Sequence, residues 1–343
     1  MAFIKSFAGT TARSMLALLA WLKLKFSSRP LLLILTYHRT LPAGDPQRNE
    51  EQPGMITSPR NLKRHIEMLS RIGAVPVDLD EWLDKSHRGA PLPKLAFAIT
   101  FDDGWQDNYQ YAFPLLKSYN IPFTIFLVSR LIGSNDSFWP EQVLYILRSG
   151  GFSRRDEALD WLDPFLPDPT SPDPRLMLSL DEADKVINGL KTLDDSYILE
   201  RLATFYRGNP DAKRFSDTRS ILNSAEVEDM AASGLVRYGA HTRHHFRLDR
   251  LKNRKALEEE IVGSLEDIKN LCNQSVEIFC YPNGDTSEDA LDIVSKHFDG
   301  ACTTKTGWNH SGCNPHQLKR FNLHDGNSSS DFRVFATFGR GLL

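Results

Sequence analysis

Two adjacent carboxylates, Asp102 and Asp103, end an apolar run in "AFAITFDDGW". Such a pair needs a positive partner, because neighbouring like charges disfavour ionisation of both groups. A second polar segment, "HTRHH", places His241 and His245 four residues apart, which on a helical turn would put both imidazoles on one side. Two histidines and one carboxylate form a metal site with open coordination positions, as a catalytic site requires. One aspartate would bind the ion, whose charge would keep the other aspartate ionised.

The elements that carry these residues are predicted to be buried parallel strands. "LLLILTYHRT", "KLAFAITF" and "FTIFLV" are continuous apolar runs separated by segments of helical periodicity. Strands that alternate with helices predict β/α units, and the carboxyl ends of their strands meet at one face. Asp102 follows one strand, His241 follows a second, and Tyr281 follows a third, "VEIFC". We therefore expect these three positions to converge.

The β/α pattern is interrupted between about residues 135 and 220. "FWPEQVLYILRSG" and "LSLDEADKVINGLKTLDDSYILERLATFY" predict helices, with Ser179 and Asp194 as N-caps. A proline-rich loop lies between these segments. This helical insertion would either cover one edge of the site or only pack on the barrel. The expected organisation is an N-terminal segment, 1–28, and a barrel domain, 29–343, that contains the insertion.

The N-terminal segment contains an apolar stretch that is too short to cross a bilayer, which takes about 20 residues. Lys23 and Lys25 follow this stretch where a signal peptide would have small residues for cleavage. We interpret the segment as a retained amphipathic helix, either on the inner membrane surface or packed on its own domain. The expected location is cytoplasmic with peripheral membrane contact, and export is the alternative.

Charge and cysteine content exclude some function classes. The chain has 41 basic and 44 acidic side chains, a formal net charge of -3, which argues against a nucleic-acid partner. Its four cysteines include no C-x-x-C pair, so a thiol-rich zinc site is not expected. Free thiols in a reducing compartment fit these cysteines, and two disulfides would fit an exported protein.

The motifs "LTYHR", "TFDDG", "HTRHH", "YPNG" and "LKRFNL", in this order, resemble the polysaccharide deacetylase family, the NodB-type carbohydrate esterases. The resemblance covers roughly residues 31–325 and implies a distorted (β/α)7 barrel. It also implies a metal-dependent hydrolase that removes an N-acetyl or similar acyl group from an amino sugar of a polysaccharide or glycolipid. The implied cofactor is a divalent metal, commonly Zn²⁺.

Individual roles follow from the same resemblance. Asp102 matches the general base of the family, and Asp103, His241 and His245 match its metal ligands. Tyr281 matches the position whose backbone N–H helps to bind the oxyanion. Thr242 in "HTRHH" matches a hydroxyl position that braces the loop.

The acid that protonates the leaving amine is less defined, because the family's late L-x-x-H motif is not cleanly present. The arginine of its third motif is also absent before "YPNG". The candidates for this acid are His38, His310, His316 and His324. We place His38 at the site because it follows a predicted strand, and we expect structural roles for the other three. Arg320 would orient a carboxylate.

Several alternatives stay open at this point. Asp102 could simply cap the next helix, and His244 is expected to be exposed or to support the ligands. Trp105, Tyr109 and Trp139 would stack on sugar rings or belong to the core. The chain could also be a deformylase of a lipid-linked aminosugar, or a carbohydrate-binding protein without activity on the same fold.

Overall fold

A computed structural model of the protein describes residues 2–168, 173–210, 212, 220–272 and 274–343, with side chains from residue 11 onward. Parts of the expected insertion, at 169–172, 211 and 213–219, lie outside the described residues, and so does the first residue of the N-terminal segment.

The described residues form eleven strands and twelve α-helices. The strands are β1 (Leu31–Tyr37), β2 (Arg39–Thr40), β3 (Ile56–Thr57), β4 (Val75–Pro76), β5 (Leu95–Phe101), β6 (Phe123–Leu127), β7 (Val236–Ala240), β8 (Ile278–Cys280), β9 (Gly300–Thr306), β10 (Asn309–His310) and β11 (Leu318–Asn322). The helices are α1 (Ala2–Phe26), α2 (Pro59–Arg71), α3 (Leu79–His87), α4 (Phe113–Ser118), α5 (Trp139–Arg148), α6 (Leu180–Leu190), α7 (Asp195–Gly208), α8 (Ser224–Ala232), α9 (Arg254–Cys272), α10 (Glu288–His297), α11 (Asp325–Ser328) and α12 (Asp331–Arg340).

Seven of these strands form a closed parallel barrel surrounded by helices. Their order is β1, β5, β6, β7, β8, β9 and β11, and the ring closes where β11 pairs with β1. The prediction of a (β/α)7 barrel is therefore confirmed. Two short strands extend the sheet at its margin, β4 parallel to β5 and β10 antiparallel to β1.

The alternation of side chains along a strand decides which residues enter the barrel. In β5, Phe97 and Ile99 belong to the large core between the sheet and the helices, whereas Ala96 and Ala98 belong to a smaller core inside the barrel. Asp102 continues the inward set beyond the end of the strand. The period of the strand thus directs the first carboxylate of the pair into the barrel mouth.

The helical insertion has an apolar core separate from both barrel cores. Helices α5, α6 and α7 contribute to it, together with Trp161 from the 3₁₀ turns between them and Phe205 near the end of α7. Ser179 caps α6 through a reciprocal capping box with Glu182. Asp194 occupies the N-cap position of α7, but its side chain makes no capping hydrogen bond.

Helix α1 packs along α12. Gly339 permits this close approach, because a Cβ at that position would overlap the backbone carbonyl of Leu16. Met15, Leu18 and Phe26 on the same helix stay exposed. No helix among the described residues has both the length and the hydropathy needed to cross a bilayer.

Candidate active site

The chain turns sharply where β5 ends, and this turn brings both aspartates to the barrel mouth. The Asp102 N–H donates to the carbonyl of Tyr37 over 3.0 Å, in continuation of the β1–β5 pairing. Asp103 and Gly104 then adopt left-handed conformations, with φ of 77° and 79°. A non-glycine residue rarely adopts this conformation, and such strain is concentrated at functional sites. Both carboxylates are only 4% exposed, so they need compensating partners.

His241 and His245 lie in an irregular loop after β7, so the prediction that they share a helical turn is wrong. Thr242 and His245 each have a φ of 63°, which an α-helix excludes. The left-handed residues turn the loop so that the two imidazole rings still meet, with centroids 4.8 Å apart. The Thr242 hydroxyl has no hydrogen-bond partner in the described part of the chain, which contradicts the bracing role expected for it.

The loop places both imidazoles against Asp103. Its Oδ1 lies 3.6 Å from Nε2 of His241 and 3.5 Å from Nε2 of His245. Tetrahedral zinc ligands at 2.0–2.2 Å from the ion lie about 3.3–3.6 Å from one another, so these separations fit a metal site. Nδ1 of His241 is 2.7 Å from the carbonyl of Cys280, to which it donates its proton. That bond leaves the Nε2 lone pair of His241 free for a metal.

The environment of the three groups suits metal binding. Burial lowers the pKa of His241 to about 3 and that of His245 to about 4, so both rings are neutral, as metal ligands must be. Burial, with the nearby charge of Asp102, raises the pKa of Asp103 to about 6. A divalent cation would offset this cost and favour the ionised carboxylate.

Trp105 and Phe138 support the ligands from the side of the insertion. The Trp105 indole N–H donates to Asp103 Oδ2 over 2.9 Å. The Phe138 ring lies 5.2 Å from the His245 ring and 5.3 Å from the Trp105 ring. Trp105 is buried, so it positions a carboxylate rather than offering a face to a sugar. This role of Trp105 is not predicted from the sequence, because a separation of two residues does not indicate a hydrogen bond between the side chains of Trp105 and Asp103.

Asp102 is held by Arg320, which enters the barrel from β11. Nη1 and Nη2 of the arginine donate to Oδ1 and Oδ2 of the aspartate over 2.7 and 2.8 Å. Burial alone would raise the pKa of Asp102, but the charge and hydrogen bonds of Arg320 outweigh burial and hold it below its usual range. The guanidinium therefore orients an ionised carboxylate, as the sequence led us to expect.

His38 also lies beside the aspartate pair and is not one of the proposed metal ligands. Its Nε2 is 3.9 Å from Asp102 Oδ2, and its buried Nδ1 has no hydrogen-bond partner in the described residues. The Asn108 side-chain amide donates to the His38 carbonyl over 2.8 Å, which fixes the backbone at this point.

The other candidate histidines have local partners. His244 is bonded to Glu260 through Nδ1, 2.6 Å from Oε1, and its side chain is 48% exposed. The remaining three are bonded to the backbone: His310 to the carbonyl of Ser311, His316 to the carbonyl of Phe298, and His324 to the N–H of Gly326.

The expected oxyanion role of Tyr281 is contradicted. Its N–H donates to the carbonyl of Cys302 over 3.1 Å, so the pairing of β8 with β9 continues through this residue and occupies the donor. Its ring is buried against Phe279, with centroids 5.2 Å apart, and its hydroxyl donates to the carbonyl of His316. Tyr281 therefore supports the fold.

A family model described as polysaccharide deacetylase matches residues 89–297. The chain belongs to the polysaccharide deacetylase family. Its structure resembles that of IcaB from Ammonifex degensii, with a TM-score of 0.56 and 18% identity over 90% of this chain and 97% of that one. It also resembles the Streptococcus pyogenes deacetylase PplD, with a TM-score of 0.55 and 15% identity over 85% and 92% of the two chains. At these identities the likeness shows the fold alone.

Curated members of the polysaccharide deacetylase family match in sequence over shorter segments. The poly-β-1,6-N-acetyl-D-glucosamine N-deacetylase of Staphylococcus epidermidis is 33% identical over 122 residues, 33% of this chain and 41% of the relative. The protein of the same name from Escherichia coli is 34% identical over 61 residues, 18% of this chain and 9% of the relative. The chain thus spans less than half the length of the curated relatives it matches.

Proposed function

We propose that this protein is a metal-dependent N-deacetylase acting on an amino sugar of a polysaccharide or glycolipid. The observation that carries the proposal is the convergence of Asp103 with His241 and His245 beside the ionised Asp102. Membership of the family supports it, as do relatives named for N-deacetylation of poly-β-1,6-N-acetyl-D-glucosamine.

In this proposal Asp103, His241 and His245 hold a divalent cation. Zn²⁺ is the first candidate, because two imidazoles and one carboxylate are a common donor set for catalytic zinc. When bound, the ion supplies positive charge that polarises the acyl oxygen and lowers the pKa of water from 15.7 to about 7. The chain contributes neutral imidazoles and a carboxylate fixed by Trp105.

Asp102 accepts the proton of the attacking water as general base. Because Arg320 holds the pKa of Asp102 low, the carboxylate is ionised at neutral pH and retains a proton only weakly. In this proposal His38 carries a proton to the leaving amine, which its Nε2, 3.9 Å from Asp102 Oδ2, supports. The Tyr281 N–H takes no part, since it is bonded to Cys302.

The test measures loss of the acyl group from N-acetylated β-linked glucosamine oligosaccharides by mass spectrometry. Metal content is measured on the same preparations. We expect His245→Ala to lose both metal and activity. His244→Ala is the matched control and should keep both, because His244 is bonded to Glu260 and not to Asp103. Asp102→Asn should keep the metal and lose turnover.

Three other results would change the assignment of the base or of the function. Turnover of Asp102→Asn at the wild-type rate would remove Asp102 as the base. Sugar binding without loss of any acyl group would indicate a non-catalytic carbohydrate-binding protein. Hydrolysis of N-formyl but not N-acetyl sugars would indicate a deformylase of the same mechanism.

For α1 we propose peripheral contact with the inner, cytoplasmic face of a membrane. Leu18, Trp21 and Phe26 are exposed apolar side chains, and Lys23 and Lys25 lie beside them. Apolar side chains next to cations favour the interface of an anionic lipid surface. A lipid-linked amino sugar would then lie on the same surface as the protein.

A further inference from the structure

A cavity of about 300 Å³ lies where the helical insertion meets the barrel. Trp105 lines it from the barrel, Glu141 and Tyr145 line it from α5, and Glu51 lines it from the loop before β3. Its volume lies at the lower end of the range for small-molecule sites. The partly exposed Tyr145 ring beside polar groups suits one sugar unit.

Glu141 in the first turn of α5 has an incompletely paired carboxylate. Its Oε2 is buried and has no hydrogen-bond partner among the residues that the structure describes, although the residue as a whole is partly exposed. Burying a carboxylate oxygen without a partner is costly, so this group requires a proton or a cation. Burial and the charge of Glu51 both raise the pKa of Glu141, in agreement with a missing positive partner.

Three glutamates, Glu50, Glu51 and Glu141, line the cavity against two arginines, Arg39 and Arg148. Arg39 donates hydrogen bonds to Glu51 over 3.0 Å and to Asp107 over 2.8 Å, so its single positive charge already compensates two carboxylates. Arg148 also lines the cavity, but its guanidinium donates to two backbone carbonyls. Glu141 is thus the carboxylate that a cationic ligand would pair.

We propose that this cavity binds a glucosamine unit through its ammonium group, with Glu141 as the anionic partner. The inference rests on the proposed function, because N-deacetylation produces a primary amine that is protonated at neutral pH. Trp105 lines the cavity and donates to Asp103, so the cavity lies one side chain away from the proposed metal ligands. The protein would therefore recognise glycans that already carry free amines near the acyl group to be removed.

The test compares glucosamine, N-acetylglucosamine and glucose, which differ only at carbon 2, by titration calorimetry with the full metal-loaded chain. We expect glucosamine to bind at least about tenfold more tightly than the other two, because a charge-assisted bond is stronger than a neutral one. Glu141→Gln keeps the shape and removes the charge, so this preference should fall to about twofold or less. Glu157→Gln, at an exposed position of the same insertion, is the matched control and should keep the preference for glucosamine.

Chelator-treated protein should also keep the preference, which separates the cavity from the metal centre. Loss of the preference after chelation, equal affinity for glucosamine and glucose, or an unchanged preference in Glu141→Gln would each overturn the proposal. Glucosamine has no acyl group, so its binding does not depend on turnover. Hydrolysis without the preference would reject only the cavity assignment, and the preference without hydrolysis would reject only the deacetylase.

Discussion

Replacing Arg320 with methionine would leave the Asp102 carboxylate buried without its bidentate partner. The two side chains are 3% and 6% exposed, so water cannot take over from the lost guanidinium. Breaking one side of such a buried pair costs about 3–5 kcal/mol, because the remaining charge is uncompensated. We expect Arg320→Met to lower the free energy of unfolding at pH 7 by this amount.

The contribution of the Asp102 carboxyl to the pH dependence of stability should have opposite signs in the wild type and in Arg320→Met. In the wild type the folded pKa of Asp102 lies below the unfolded value of about 3.9, so its contribution is present above that pH and is lost as pH falls. In Arg320→Met burial raises the folded pKa above the unfolded value, so protonation stabilises the folded state. One proton changes the free energy of unfolding by at most about 1.4 kcal/mol per pH unit, so lowering the pH from 7 to 5 should recover up to about 2.7 kcal/mol of the lost stability.

Denaturant unfolding of the wild type and each variant at pH 7 and pH 5 measures both effects. The matched control is Arg243→Met, because Arg243 also bonds both oxygens of a carboxylate, Asp267, over 2.9 and 3.0 Å. That pair is 22% and 24% exposed, so its loss should cost about 1 kcal/mol or less. Adding Asp102→Asn to Arg320→Met should restore most of the stability.

An equal loss in the Arg320→Met and Arg243→Met variants would refute this reasoning. So would a difference between Arg320→Met and the wild type that stays the same from pH 7 to pH 5.

Four further changes test other parts of the site and the N-terminal helix. Trp105→Phe removes the hydrogen bond to Asp103 and should weaken metal affinity about 10–100-fold in chelator competition; unchanged affinity would deny the tryptophan this role. His38→Gln should keep the metal but lower kcat about 10²–10⁴-fold, whereas wild-type kcat would exclude His38 as a proton carrier. Gly104→Ala should cost about 1–2 kcal/mol in thermal unfolding, because its φ of 79° is left-handed and a Cβ would lie 3.0 Å from Leu127 Cδ2. Leu18→Glu, at an exposed position, should reduce sedimentation with anionic vesicles at unchanged stability; equal sedimentation would argue against membrane contact through α1.

The barrel and the convergence of its strand ends could be predicted from the sequence. Buried parallel strands are recognisable as apolar runs, and the ends of parallel strands meet whatever the loops do. The strand ends alone therefore predict that Asp103 and the two imidazoles lie together. β11 is harder to recognise, because the charged Arg320 interrupts its apolar pattern and is buried with Asp102 and the Thr303 carbonyl as partners.

Other features of the site depend on conformation or on partners distant in sequence. The spacing of His241 and His245 could not reveal the left-handed residues in their loop. The Tyr281 N–H is occupied because the hydrogen bonding between β8 and β9 continues to Tyr281, one residue beyond the end of β8. The unpaired oxygen of Glu141 is apparent only once the fold brings the insertion against the loop that contains Glu51.

The insertion packs around its own core and is joined to the barrel in part by the buried pair of Asp195 with Arg247. Among the described residues, that core contributes none to the barrel strands that precede Asp102, Asp103 and His241. Natural variation in which glycan is accepted should be concentrated in this helical segment. A chimaera that exchanges this segment between relatives would then exchange glycan preference and leave the hydrolytic step in place.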